Sequence, residues 1–72
     1  MDLTFKNDTC CGGYLHAEVT HANGLRSIVE DKGDGIYTVL TMKGWMPYVQ
    51  LIENMNRAEV EVELERVAAL VL

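Results

Sequence analysis

The chain has 72 residues and a formal net charge of −5, from eleven acidic and six basic side chains. This length predicts a single domain over residues 1–72, and a hydrophobic content of 49 % excludes a disordered chain. The shortage of clustered Lys and Arg argues against direct binding to nucleic acid, and no run approaches the ~20 apolar residues of a membrane span. Without a signal-type apolar run near the N-terminus, we expect a cytoplasmic protein.

The first part of the chain is typical of antiparallel strands joined by tight turns. Asn23-Gly24 is a strong hairpin signal, because a type I′ turn needs positive φ at both central residues. A two-residue loop there pairs Val19 with Ile28. Asp34-Gly35 predicts a second tight turn. The pattern predicts four strands, at residues 3–6, 14–20, 25–31 and 36–42.

The period of the apolar residues changes after Gly44. Five apolar residues then follow a helical stripe: Trp45, Tyr48, Val49, Ile52 and Met55. Proline is tolerated in the first turn of a helix, so the stripe predicts a helix that begins near Pro47. We expect Trp45 and Tyr48 to pack in the core, with an exposed aromatic anchor for a partner as the alternative.

Residues 58–67 alternate between acidic or polar and apolar side chains, which predicts a strand with one buried face. Four glutamates would then stand in one exposed row: Glu59, Glu61, Glu63 and Glu65. A helix competes, because Asn56 and Glu59 have the spacing of a capping box and Val60, Leu64, Val67 and Val71 would form a stripe. We favour the strand, since the helix exposes Val62 and places like charges four residues apart.

These elements predict an α+β fold. A small antiparallel sheet of about four or five strands, in the order β-β-β-β-α-β, carries one helix on one face; the alternative is four strands followed by two helices. A domain this small is marginally stable alone. The apolar residues 67–72 suggest a homodimer that pairs through the last strand.

Metal binding and catalysis have weak support. Cys10, Cys11, His16 and His21 lie within twelve residues, but adjacent cysteines do not have the spacing of a zinc site. The two histidines are five residues apart and fall on opposite faces of a strand. We expect solvated histidines, no resident metal or cofactor and no enzymatic activity, because no base is placed to activate a nucleophile.

The acidic residues point to a protein partner with a basic surface. They form two groups, Glu30, Asp31 and Asp34 at the second turn and Glu59, Glu61, Glu63 and Glu65 near the end. We expect a non-enzymatic binding module, more concretely an inhibitor that occupies a basic, nucleic-acid-binding surface of its partner. In size and charge alone the chain is similar to phage-encoded inhibitors of host defence, anti-CRISPR proteins included. The alternative functions are a structural protein that self-associates through its C-terminal strand and, more weakly, a metal-binding protein.

Overall fold

The computed structural model describes residues 3–7 and 15–72. These residues form one antiparallel sheet, in which five strands neighbour each other in chain order, and one helix that follows the sheet. The elements are β1 (Lys6–Asn7), β2 (Leu15–Thr20), β3 (Arg26–Gly33), β4 (Ile36–Lys43), β5 (Met46–Met55) and α1 (Arg57–Ala68). The predicted α+β class, with a small antiparallel sheet and one helix packed on it, is confirmed. The predicted order of the last two elements is wrong, because the helix comes last.

Both predicted turns are present, although the first has a longer loop. The His21 N–H donates to the Leu25 carbonyl (2.8 Å), and the Gly24 N–H donates to the His21 carbonyl (3.0 Å). Gly24 has a φ of 92°, so the loop is a three-residue turn that ends on a left-handed glycine. This shifts the register by one residue, and Val19 pairs with Ser27 instead of Ile28.

The second turn lies at the predicted position. Asp34 and Gly35 have φ values of 55° and 72°, the positive angles that a type I′ turn requires. A third hairpin joins β4 to β5 through Gly44 and Trp45, with Gly44 at a φ of 62°. A glycine at the first central position is typical of a type II′ turn, so this signal was present in the sequence.

The segment predicted as a helix after Gly44 is strand β5. Its pairing with β4 shifts by one residue three times between Lys43 and Tyr37. Each shift is a bulge that adds one residue to β5. The residues of β5 that face the core are therefore three apart instead of two, and pair as Val49 with Thr41, Ile52 with Val39 and Met55 with Tyr37. This spacing of three imitates a helical stripe.

The segment predicted as a strand, residues 58–67, lies within α1. Asn56 caps the helix, because its side chain accepts a hydrogen bond from the Glu59 N–H (2.8 Å) and the Glu59 carboxylate accepts one from the Asn56 N–H (3.0 Å). This capping box satisfies two backbone donors at the helix start. Val60, Leu64 and Val67 face inwards, and Val62 is exposed as the helical alternative requires.

The core lies between α1 and one face of the sheet. Val29 and Val39 of the sheet pack with Met55, Val60 and Leu64. At the far end of α1, the Asn23 amide donates to the carbonyls of Val67 (2.9 Å) and Leu70 (3.0 Å). The β2–β3 turn thus adds hydrogen bonds to carbonyls at the end of the helix and ties this end of α1 to the sheet. No helix in the described part of the chain is long and apolar enough to cross a bilayer.

Truncating two side chains of α1 tests whether residues 58–67 form a helix or a strand. Leu64 is fully buried and Val62 is 67 % exposed, although both would share one face of a strand. We expect Leu64→Ala to lower the free energy of unfolding by about 2–5 kcal/mol and Val62→Ala to change it by less than about 0.5 kcal/mol. Urea unfolding followed by circular dichroism measures both, and equal losses would contradict the helix.

Candidate functional site

Acidic side chains from three parts of the chain meet at one end of the sheet. Tyr37 pairs with Asp31 on one side and with Met55 on the other. The β3–β4 turn and the end of β5 therefore lie together, and α1 begins two residues after Met55. We call this region the acidic end, formed by Glu30, Asp31, Asp34, Glu53 and Glu59.

Two cations at the acidic end have partners within the chain. Lys32 Nζ lies 3.2 Å from the Glu30 carboxylate, a partly exposed pair that contributes little to stability. The Arg57 guanidinium stacks over the rings of Phe5, at 5.4 Å, and Tyr37, at 5.8 Å. These cation–π contacts hold Arg57 against the aromatic side chains. Lys6 lies at the same end of the sheet, because it pairs with His16, the cross-strand partner of Glu30. Five carboxylates against three cations leave this end negatively charged.

Local hydrogen bonds fix two of these carboxylates. Asp31 accepts a hydrogen bond from the Gly33 N–H (2.8 Å) beside the bulge that precedes the turn, and Glu59 is held by the capping box. Asp34 is exposed at the tip of the turn. Glu53 lies in the bulge of β5 between the partners of Tyr37 and Val39, and Thr38, the β4 residue between these two, is the cross-strand partner of Glu30. The charges are therefore carried on turns and element ends whose backbone is well defined.

The predicted row of four glutamates is wrong, because residues on a helix do not alternate between two faces. Glu59 and Glu63 point to one side of α1, while Glu61 and Glu65 point to the other. Glu63 is only 8 % exposed, and its two oxygens accept hydrogen bonds from Arg66 Nε (2.9 Å) and Nη2 (2.6 Å). Hydrogen bonding to Glu63 and the negative charge of its carboxylate raise the pKa of Arg66. Glu63 is thus a structural partner of Arg66.

The aromatic residues of the β4–β5 hairpin lie outside the core, so the prediction of core packing is wrong for them. Trp45 is 91 % exposed at the turn and Tyr48 is 46 % exposed on β5. Met46 and Leu51 are exposed as well. Between Tyr37 and Glu53 the sequence has one charged residue, Lys43, whose Nζ lies 5.9 Å from the centre of the Tyr48 ring. Sequence reasoning missed this apolar surface because it placed these residues on a helix.

The candidate metal ligands that the structure describes, His16 and His21, do not come together. Cys10 and Cys11 lie outside the described residues. His16 and His21 are on opposite faces of the sheet, as their spacing predicts. Within residues 3–7 and 15–72, no group of three His, Cys, Asp or Glu side chains could hold a metal ion.

His21 is buried, so the expectation of a solvated side chain is wrong. Its Nε2 is hydrogen-bonded to Ser27 Oγ (2.9 Å), which is hydrogen-bonded in turn to Thr41 Oγ1 (2.9 Å). Burial lowers the pKa of His21. Ser27 is fully buried as well, so a substrate has no access to its hydroxyl. These hydrogen bonds give each of the three buried side chains a polar partner.

Comparisons with protein-family models, with curated proteins and with solved structures found no match for this chain.

The buried imidazole gives the fold a dependence on pH. Because burial lowers the pKa of His21 from its ordinary value of 6.5, the unfolded chain binds a proton more readily than the folded one. The contribution of neutral His21 to the free energy of unfolding is complete above pH 6.5. It is lost as the pH falls from there towards the lower pKa of the folded state. We expect the urea midpoint to decrease between about pH 7.5 and about pH 5.5, above the range where ordinary carboxylates titrate.

The variant His21→Gln should reduce this decrease, because its side chain does not titrate. His16→Gln, which removes an imidazole from the opposite face, should keep the part of the decrease that depends on His21. An equal decrease in His21→Gln and the wild-type protein would contradict the assignment.

Proposed function

We propose that the protein is a non-enzymatic protein-binding module that docks through its acidic end onto a basic surface of another protein. The observation that carries this proposal is the convergence of carboxylates from β3, the β3–β4 turn, β5 and α1 at one end of the sheet. The proposal places the protein in the cytoplasm, where Cys10 and Cys11 remain reduced.

The arrangement of these charges suits association with a cationic surface. A net charge of −5 attracts a basic partner over distances of about 10 Å at moderate salt. The capping box and the turns hold Glu59 and Asp31 in place, so little conformational freedom is lost when a partner binds. The cations Lys32 and Arg57 are engaged within the chain, and they leave the carboxylates as the dominant charge.

The partner that fits best is a protein that binds nucleic acid, and the module acts as its inhibitor. Lys and Arg side chains that neutralise phosphates pair equally well with carboxylates. The four glutamates cannot imitate the phosphates of a nucleic-acid strand as a row on a β-strand, because they lie on α1. The inhibition therefore rests on the combined charge of the acidic end. The similarity to phage-encoded inhibitors remains one of size and charge.

Neutralising two carboxylates of the acidic end should weaken the complex. We choose Asp34→Asn with Glu59→Gln, because Asn tolerates the positive φ of residue 34 and Gln supports a capping box. Partners are captured from host lysate on the immobilised protein at low and high salt and identified by mass spectrometry. We expect a basic protein that is retained at low salt, is released by added nucleic acid, and binds the double variant about tenfold more weakly.

The matched control is Glu61→Gln with Glu65→Gln, which removes the same charge from the other side of α1. We expect this variant to lose at most about threefold in affinity, through the weaker long-range attraction. Equal losses in the two variants would show that net charge alone drives binding. A partner whose retention is insensitive to salt and to both variants would overturn the proposed function.

A further inference from the structure

The end of the sheet opposite the acidic end carries exposed apolar side chains, and we call it the apolar end. Arg26 pairs with Met42, so the β2–β3 and β4–β5 turns lie at the same end of the sheet. The residues that follow α1 lie there too, because the Asn23 amide donates to the Leu70 carbonyl (3.0 Å). The apolar end is formed by Trp45, Met46, Val71 and Leu72, which are all exposed.

The apolar end is a projecting tip. Trp45 belongs to the two-residue turn between the paired residues Lys43 and Met46, and its side chain is almost fully exposed. Val71 is 96 % exposed beyond the end of α1. Sites for small molecules are concave and bury most of the ligand, which a projecting tip does not do. Exposed apolar residues grouped in this way mark a contact with a protein or with a membrane.

Cationic and aromatic side chains flank this tip. Lys43 closes the β4–β5 turn, and its Nζ lies 5.9 Å from the centre of the exposed Tyr48 ring. Arg26 lies in the row of Met42, one residue pair behind Lys43. Trp and Tyr are enriched where hydrocarbon meets water, and Lys and Arg extend from an apolar surface to the polar groups beside it. This combination of side chains suits the headgroup region of a lipid bilayer.

Most of the negative charge lies far from the tip. At the end of α1, Arg66 is paired with Glu63, which leaves Glu65 as the exposed carboxylate of the last turn. In the strands that the structure describes, the carboxylate nearest the tip is Glu18, two rows from Arg26. The acidic end lies at the other end of β4, whose eight residues span roughly 23 Å. This is more than twice the ~10 Å over which salt screens a charge.

A second copy of the chain is a poor occupant of this end. The C-terminal strand that was expected to mediate self-association is helix α1. Beside the tip, β5 forms an edge of the sheet, but Pro47 lacks an N–H to donate and three bulges interrupt the strand. Proline and bulges are the devices by which edge strands avoid joining other sheets. Two tips in contact would also bring the cations Lys43 and Arg26 of both copies together.

We propose that the apolar end inserts into the interface of an anionic lipid bilayer, with Trp45 and Met46 below the headgroups and Lys43 and Arg26 beside the lipid phosphates. A lipid surface suits a projecting apolar tip because it requires no matching shape, and its phosphates complement the two cations. The contact is peripheral, and the acidic end stays in water on the far side of the sheet. The proposal goes beyond the proposed function and uses none of the carboxylates of the acidic end.

Trp45 is the single tryptophan of the chain, so its fluorescence reports directly on the tip. Purified protein is titrated with vesicles of phosphatidylcholine that contain phosphatidylserine. We expect a blue shift of the emission that is half complete at about 1 mM lipid, weaker than the ~0.1 mM of a single myristoyl chain. Vesicles of phosphatidylcholine alone should bind about fivefold more weakly, because they lack the charge that attracts Lys43 and Arg26.

Substitutions at the tip should weaken this binding. Trp45→Glu and Met46→Glu each place a charge in the inserted surface, and we expect each to lower the affinity for anionic vesicles at least about tenfold. Val62→Glu makes the same change in charge on the exposed side of α1 and should lower it at most about twofold. Sedimentation with vesicles measures all three, since Trp45→Glu lacks the fluorophore. Circular dichroism confirms that each variant is folded.

The cation of the turn has its own signature. Lys43→Gln should reduce the preference for anionic over neutral vesicles about threefold and leave binding to phosphatidylcholine alone unchanged. Added salt should reduce the same preference in the wild-type protein.

An emission spectrum that anionic vesicles leave unchanged, with no sedimentation of the protein, would overturn the proposal. That is also the result expected if the tip enters an apolar pocket of another protein. Equal losses in Met46→Glu and Val62→Glu would overturn it as well, because binding would then depend on charge and not on the tip. The test needs only purified protein and lipid and leaves Asp34 and Glu59 unchanged, so its result is independent of the proposed function.

Discussion

The pairing between β4 and β5 slips by one residue three times between Lys43 and Tyr37. Because of these slips, Val49, Ile52 and Met55 lie on the core side of the sheet although they are three residues apart. The last slip sets Met55 opposite Tyr37, so the helix starts at the same end of the sheet as the β3–β4 turn. The core, the acidic end and the blocked edge of β5 all depend on this one irregular strand.

Much of the fold could be predicted from local signals. Asp34-Gly35 predicted the second turn, in which both residues adopt positive φ. Alternation, turn signals and β-branched residues predicted β2, β3 and β4. The first hairpin shows the limit of such signals. A two-residue and a three-residue loop both use a left-handed glycine, and the choice between them shifts every pair of β2 and β3.

The prediction placed a helix at β5 and a strand at α1, because the apolar spacing of each element is close to that of the other type. Bulges give β5 an apolar spacing of three, close to that of a helix. In α1, the exposed Val62 completes an alternation that suggests a strand. The capping box of Asn56 and Glu59 was the decisive local signal, since it satisfies backbone groups that only a helix leaves open. The acidic end could be predicted only in part, because the position of Glu59 beside Asp31 and Asp34 follows from that exchange.

The contact between Asn23 and the end of α1 has a consequence for the chemical lifetime of the protein. Asparagine followed by glycine is prone to deamidation, in which the Gly24 nitrogen attacks the Asn23 side-chain amide and ammonia leaves. In the folded chain the Gly24 N–H donates to the His21 carbonyl, and the Asn23 amide donates to Val67 and Leu70. Deamidation would replace these two donor contacts with a carboxylate beside carbonyl oxygens at the negative end of the helix dipole. Deamidation of Asn23 would therefore remove the contact that holds the end of α1 to the β2–β3 turn.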